Sequence, residues 1–261
     1  MNKHFIFTSG RSGSNYLSNT LNLSKQVVNY GEVLGEWTIP HKFLYKHIFK
    51  NKGVVAYLNY IYSSDIFFYL GQLYSCFSHL KNGRKINFKL KRNIESVGVK
   101  DFFVTMNRHA GSFQYVSDDP EIKVIYLYRS NILKRYISLV FMSENNQAVS
   151  YNLIKNKKIH INIEDLIEKL NIYELNRKNE EMFVLSLNRH DVLNIEYEEY
   201  FKDADSINFW NKKVFEFIGL QAISDLSQQK KILSNSLKDN VLNYDELVTS
   251  IKGTQFEKYL Y

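Results

Sequence analysis

The chain has 261 residues, 44% hydrophobic and 23% charged, with only two prolines; this is the balance of a packed globular protein and excludes intrinsic disorder. A formal charge of +7 points to an anionic partner, and nucleic acid, anionic lipid and a phosphorylated small molecule all satisfy it. One cysteine excludes an internal disulfide framework and any cysteine-based zinc cluster, and the seven histidines show no HxxxH or HExxH spacing, so no metal site is expected.

In chain order, strands are expected at 4–9, 26–30, 97–105, 123–128 and 191–197, where β-branched and aromatic residues run together. Helical patterns fill 15–23, much of 42–80, 131–143, 163–188 and 206–218. Strands alternating with helices predict an α/β fold of three layers, a central parallel sheet of about five strands covered on both faces. No repeat, low-complexity tract or linker divides the chain, so residues 1–261 read as one domain, with 38–82 as a helical insertion after the second strand. The first apolar run is short and leads straight into a turn, which predicts no secretory signal and a reducing, cytoplasmic setting. Within the insertion, 54–77 is long and apolar, but Ser, Asn, Gln and Asp65 interrupt it and its tyrosines are scattered. It reads as one or two buried or groove-forming helices rather than a membrane span. Cys76, inside it, reads as a buried small hydrophobe.

The first strand runs into "TSGRSGSNYL". A Gly-bounded turn that opens a helix gathers free backbone N–H groups at the positive end of the helix dipole, which is an anion site. Gly10 and Gly13 permit positive φ, Ser12, Ser14 and Asn15 add donors, and Arg11 adds a fixed charge suited to phosphate or sulfate oxygens. An ordinary turn with Ser14 as N-cap would account for the serines and glycines. It does not account for Arg11. The nucleotide P-loop differs: its Lys follows the second glycine, whereas here the cation precedes it.

"VIYLYRSNILKRYISLVF" supplies a second element. A strand ends at Arg129, and the helix after it sets Ile132, Leu133, Tyr136, Ile137, Val140 and Phe141 on one face and Asn131, Lys134, Arg135 and Ser138 on the other. An arginine at a strand's carboxyl end sits where α/β proteins hold ligands.

Together, "GRSGSNYL" and the Arg129–Ser138 pair resemble the two donor-binding elements of sulfotransferases that use 3′-phosphoadenosine-5′-phosphosulfate (PAPS). The resemblance extends loosely, in family order, through "NYGEVL", "GVK", "VLNIEYEEYF" and "VFEFIGL". It ends in the tail "VLNYDELVTSIKGTQFEKYL", which is similar to that of bacterial enzymes acting on lipo-oligosaccharides or glycolipids.

The resemblance implies that Arg11, Ser12, Gly13, Ser14 and Asn15 hold the 5′-phosphosulfate and that Arg129 and Ser138 hold the 3′-phosphate, as two separate cationic pockets. It also implies that adenosine 3′,5′-bisphosphate (PAP) leaves as product and that no metal takes part. Arg11 and Glu32 are the expected catalytic pair, Glu32 acting as base just past the second strand. Glu36 and His109 are reserves, Lys100 could steer an acceptor or orient the sulfate, and Lys252 could meet the 3′-phosphate. The acceptor is expected to be a hydroxyl of a small natural product or glycan, ahead of an amine or carbamoyl nitrogen, with 38–82 and 145–163 shaping its pocket. A magnesium-dependent nucleotide kinase with a non-standard P-loop is one alternative. A basic, non-enzymatic module for nucleic acid or membrane surfaces is the other, although no nucleic-acid motif is present.

Overall fold

The computed structural model describes residues 1–81, 83, 85–145, 157–224, 227 and 236–260. Strands β1 (Asn2–Thr8), β2 (Val27–Asn29), β3 (Ser96–Phe102), β4 (Ile122–Tyr128) and β5 (Val192–Glu196) form one sheet in the order β2-β3-β1-β4-β5, with every neighbouring pair parallel. The helices are α1 (Ser14–Leu23), a π-helical segment (His41–Phe49), α2 (Gly53–Ser63), α3 (Asp65–Lys81), α4 (Phe103–Met106), α5 (Ser112–Asp118), α6 (Ile132–Asn145), α7 (Leu166–Ser186), α8 (Tyr197–Tyr200), α9 (Ala204–Phe217), α10 (Leu237–Asn240) and α11 (Tyr244–Ile251).

Both faces of the sheet are covered, which is why its strands are nearly continuous apolar runs. Phe5, Phe7, Val97, Val99, Val124 and Tyr126 point into one core with α2, α5 and the end of α7. Ile6, Ile125, Leu127 and Ile195 point the other way, against Leu17 and Leu21 of α1 and Val214 and Phe215 of α9. The three-layer α/β expectation holds. A third cluster packs Leu133, Ile137 and Phe141 of α6 on Leu166 and Leu170 of α7 and on Leu247 and Ile251 of α11.

The five strands occur where expected, shifted by one or two residues at most of their ends and by more only at the end of the third. The third ends at Phe102, and 103–106 turn helical instead of extending to 105. Asp101 explains this: one carboxylate oxygen accepts from the Phe102 N–H at 3.1 Å and the Thr105 hydroxyl at 2.5 Å, local bonds that compete with a ladder. The helical insertion is three pieces, and the 54–77 stretch expected to hold one or two helices holds two, α2 and α3. Ser64 separates α2 from α3 by leaving the helical conformation and accepting the Phe67 N–H at 3.1 Å, as an N-cap does.

Helix α2 buries Val54, Tyr57, Leu58, Ile61 and Tyr62, but α3 buries only Phe67, Phe68 and Gln72. Cys76, on α3, is half-buried and not the core residue expected. Among the described residues no helix is long and apolar enough to cross a membrane.

His4 fixes the register of the left half of the sheet. It is fully buried, with Nδ1 2.8 Å from Ser96 Oγ and Nε2 3.0 Å from the Asn29 amide nitrogen; burial pushes its pKa down to about 3. A Cβ at residue 98 would lie 2.3 Å from the His4 ring and carbonyl, so Gly98 is there because nothing larger fits.

Candidate active site

Parallel strands deliver their carboxyl ends to one edge, and in a sheet where β1 has neighbours reached in opposite directions that edge opens a crevice. The turn after β1, Glu32 after β2, Lys100 and Asp101 at the end of β3, Arg129 after β4 and Glu198 after β5 all lie there.

The turn itself is built from left-handed backbone. Gly10, Arg11 and Gly13 have φ of 76°, 55° and 81°, and Arg11 is the one non-glycine with positive φ among the described residues. Such a conformation costs an arginine roughly 1–2 kcal/mol and persists only where the surroundings enforce it. The N-cap of α1 is Gly13, not Ser14, and no acidic residue occupies the helix's first turn. The Phe201 ring sits where a Gly13 Cβ would be, at 2.3 Å. Ser12 does not face outward as expected: it is fully buried, and its hydroxyl pairs with that of Thr8 at 2.5 Å. It braces the turn. Ser14 is buried as the first residue of α1.

Arg11 and Arg129 do not form two separate pockets. Arg11 reaches across to α6, its Nε donating to Ser138 Oγ at 3.0 Å and Nη1 to the Met142 sulfur at 3.6 Å. Arg129 donates from Nη1 to the Arg11 carbonyl at 3.4 Å and from Nε to Glu198 at 3.3 Å, with its guanidinium 4.4 Å above the Tyr197 ring. The other oxygen of Glu198 accepts the N–H and hydroxyl of Ser130, both at 3.1 Å. Burial and the facing Arg129 push the Arg11 pKa down from its usual value, while Tyr197 opposes them.

A third guanidinium lies beneath. Arg135 is buried and donates to the Ser9 carbonyl, while its Nε and Nη1 are buried without a hydrogen-bond partner. Burial lowers its pKa, with Glu180 and Tyr173 acting against that. Glu180 does not supply a full countercharge: buried and bonded by the Tyr126 hydroxyl at 3.3 Å, its carboxyl is pushed up to about 7 by desolvation, against the pull of Arg135. Among the described residues, Glu198 is the carboxylate that forms an ion pair within this arginine cluster. Buried guanidinium nitrogens without a hydrogen-bond partner, as on Arg135, are costly, and an anion would relieve them.

The other half of the edge is charge-matched. Lys100, buried beside the Phe102 ring, donates to Asn15 Oδ1 at 2.5 Å and to Glu32 Oε1 at 2.6 Å. The second Glu32 oxygen accepts the Trp37 indole N–H at 2.8 Å. The segment carrying Glu32 is pinned from below. Asn29 Oδ1 takes the Gly31 N–H at 3.0 Å, and Asp101 takes the N–H groups of Val33 and Leu34 at 3.0 and 2.7 Å. Asp101 is fully buried, and desolvation raises its pKa against the bonds from Thr105, Leu34, Val33 and Phe102.

The reserves fall elsewhere. His109 donates from Nε2 to the Leu34 carbonyl at 2.9 Å, lies tilted against His41 and meets the Tyr45 ring edge-on, so it supports the Glu32 segment. Glu36 is exposed. Lys252 is an exposed residue closing α11, and the Gly253 N–H goes to Glu257 at 2.9 Å. Of the segment expected to shape the acceptor pocket, 146–156 lies outside the described residues, as does residue 82 at the end of the insertion.

Sequence reasoning missed Glu198, Asp101, Glu180 and Trp37 as members of the site. Glu198 was within reach, since it follows a strand at the same edge as Arg129. Asp101 directly follows Lys100. Glu180 and Trp37 carry no local signal, because a helix or a loop brings them in from outside the strand ends.

No protein-family model and no curated protein matches the sequence. Among solved structures, the chain is similar to a sulfotransferase from Alicyclobacillus acidocaldarius, at 12% identity and a TM-score of 0.45, over 95% of this chain and 91% of that one. It is also similar to the sulfotransferase domain of the Synechococcus PCC 7002 olefin synthase, at 14% identity and a TM-score of 0.42, over 87% of this chain and 78% of that one.

Proposed function

We propose that this protein is a sulfotransferase that moves a sulfuryl group from PAPS to a hydroxyl of a small natural product or glycan. The observation that carries the reading is the cluster before α1: Arg11, held at positive φ in the turn, lies beside Arg129, and Arg135 reaches the Ser9 carbonyl with two further buried nitrogens that have no hydrogen-bond partner among the described residues. A donor with two separately charged phosphate groups fits that cluster, and the order of the two sequence elements supports the same donor.

Bound there, the donor would supply an activated sulfuryl group whose departure leaves negative charge on a phosphate oxygen. Arg11, with the N–H groups of the turn and of the first turn of α1, is the set suited to balance that charge. A preorganised donor of this kind contributes roughly 3–4 kcal/mol to the transition state. Arg129 and Ser138 would take the second phosphate, and Arg135 would hold the turn from beneath through the Ser9 carbonyl. Ser12 contributes by bracing, Gly13 by taking a positive φ and letting the Phe201 ring close on the turn, and Asn15 by orienting Lys100.

Glu32 is the base of this scheme. As the acceptor oxygen bonds to sulfur, its proton passes to a Glu32 oxygen, and the bond from sulfur to the phosphate oxygen breaks, releasing PAP. The Trp37 and Lys100 bonds hold the Glu32 carboxylate in one orientation, and a positioned base is worth about 10²–10⁴-fold. Lys100 is in reach of only one Glu32 oxygen; it would orient the base.

A thermal-shift panel with PAP, magnesium-ATP and an oligonucleotide tests the reading. Stabilisation by PAP alone, with transfer of labelled sulfuryl from PAPS to an added acceptor, is the expected result. Stabilisation by magnesium-ATP and not PAP would make the protein a kinase, and a response to the oligonucleotide alone would make it a nucleic-acid module.

A further inference from the structure

Helix α3 is apolar on both its inner and its outer face, yet it stands half outside the protein. Its inner face packs through Phe67 and Phe68. Its outer face exposes Ile66 by 68%, Leu70 by 56%, Leu73 by 49%, Phe77 by 69% and Leu80 by 61%, with Tyr69 and Tyr74 beside them. Helices apolar on every side are normally enclosed.

We propose that this outer face is where two copies of the chain pair, their α3 helices antiparallel about a two-fold axis at Leu73. Three observations choose this occupant. The exposed seam advances by four, three, four and three residues from Ile66 to Leu80, the 3.5-residue repeat by which one helix interlocks with another. The area suffices: seven side chains exposing 40–69% of themselves, at about 200 Å² each, offer about 800 Å² per copy, which is what a stable interface buries on each partner.

The charges then choose the direction. Asp65 lies in the first turn of α3, and His79 and Lys81 lie in the last. Asp65 is paired with Lys91 of its own chain but keeps its side chain largely exposed; an antiparallel pair sets it near the opposite helix's basic end and opposes the two helix dipoles, whereas a parallel pair would align them. A membrane surface fits less well, because interfacial helices carry Lys and Arg along their polar side and α3 has neither between Asp65 and Lys81. In this arrangement Ile66 faces Leu80, Leu70 faces Phe77 and Leu73 faces its own copy. The inference does not depend on the sulfuryl-transfer reading.

Sedimentation equilibrium of the full chain should give twice the 30.9 kDa monomer mass across the micromolar range. Leu70→Glu with Phe77→Glu should return it to 30.9 kDa with an unchanged circular dichroism spectrum at about 25 °C and a lower thermal midpoint that no longer depends on protein concentration. In a Cys76→Ser background, Leu73→Cys should cross-link on mild oxidation and Ile66→Cys alone should not, while Ile66→Cys combined with Leu80→Cys should. A wild-type monomer overturns the proposal, as does a dimer that survives the double glutamate change. Self-cross-linking through residue 66 alone overturns the antiparallel arrangement. A monomer that floats with phosphatidylglycerol-containing vesicles, and loses that flotation in the double variant, assigns the face to membranes instead.

Discussion

The two halves of the carboxyl edge treat charge in opposite ways. Around β3 and β2, Lys100 and Glu32 neutralise each other at 2.6 Å, and Asn15, Trp37 and Asp101 complete the local hydrogen bonding. Around β1 and β4, one ion pair, Arg129 with Glu198, is formed in the arginine cluster among the described residues, and two buried nitrogens of Arg135 have no hydrogen-bond partner there. A matched group of charges can hold a side chain in place without a ligand. An unmatched one leaves part of its solvation to be supplied from outside. Under the proposed function the difference would divide labour within the site: one half for positioning and proton transfer, the other for a multiply charged ligand.

Four measurements bear on that division. The largest expected effect is from Glu32→Gln, which should lower turnover about 10²–10⁴-fold in a labelled-sulfate assay and leave PAP affinity by calorimetry unchanged. Full activity would take Glu32 out of the chemistry. Arg129→Ala should weaken PAP by about 2–5 kcal/mol, since it removes a buried charged contact and strands Glu198, and Arg11→Ala should weaken it as well. Equal losses from Lys100→Met would erase the contrast between the halves.

Third is a pH effect. Glu180 titrates near 7 in the folded chain, above an ordinary glutamate, so the folded state retains a proton that the unfolded chain gives up. Its stability contribution is whole below about pH 4.5 and is lost as pH rises through about 7, on the order of 3 kcal/mol in all. Urea unfolding of wild type and Glu180→Gln from pH 4.5 to 8 should show this as a falling difference, and a flat difference would mean Glu180 is ionised throughout and the arginines better matched than described. The smallest effect belongs to Lys252→Ala. The side chain is exposed, and PAP affinity should move by less than about 0.5 kcal/mol.

Much of this edge could be read in advance because strand ends are local features. Apolar runs bounded by Gly, Ser or Arg located β1 and β4, and the rule that ligands meet carboxyl ends singled out Arg11, Glu32 and Arg129. Failures came where a side chain redirected its own backbone or travelled far. "VGVKDFFVT" is composed of strand formers, and only the bonds of Asp101 to Phe102 and Thr105 end β3 early. Ser12 has the composition of an outward donor and instead turns in to Thr8. Spacing in sequence could not reveal that Arg11 reaches Ser138, 127 positions away, and so merges two pockets into one.

That last contact has a consequence. Arg11 uses the Ser138 oxygen as an acceptor, which leaves the hydroxyl's own proton to be given elsewhere. Under the proposed function a phosphate arriving there would meet that proton and the guanidinium side by side, and a single hydroxyl would couple the loop gripping one end of the donor to the helix gripping the other.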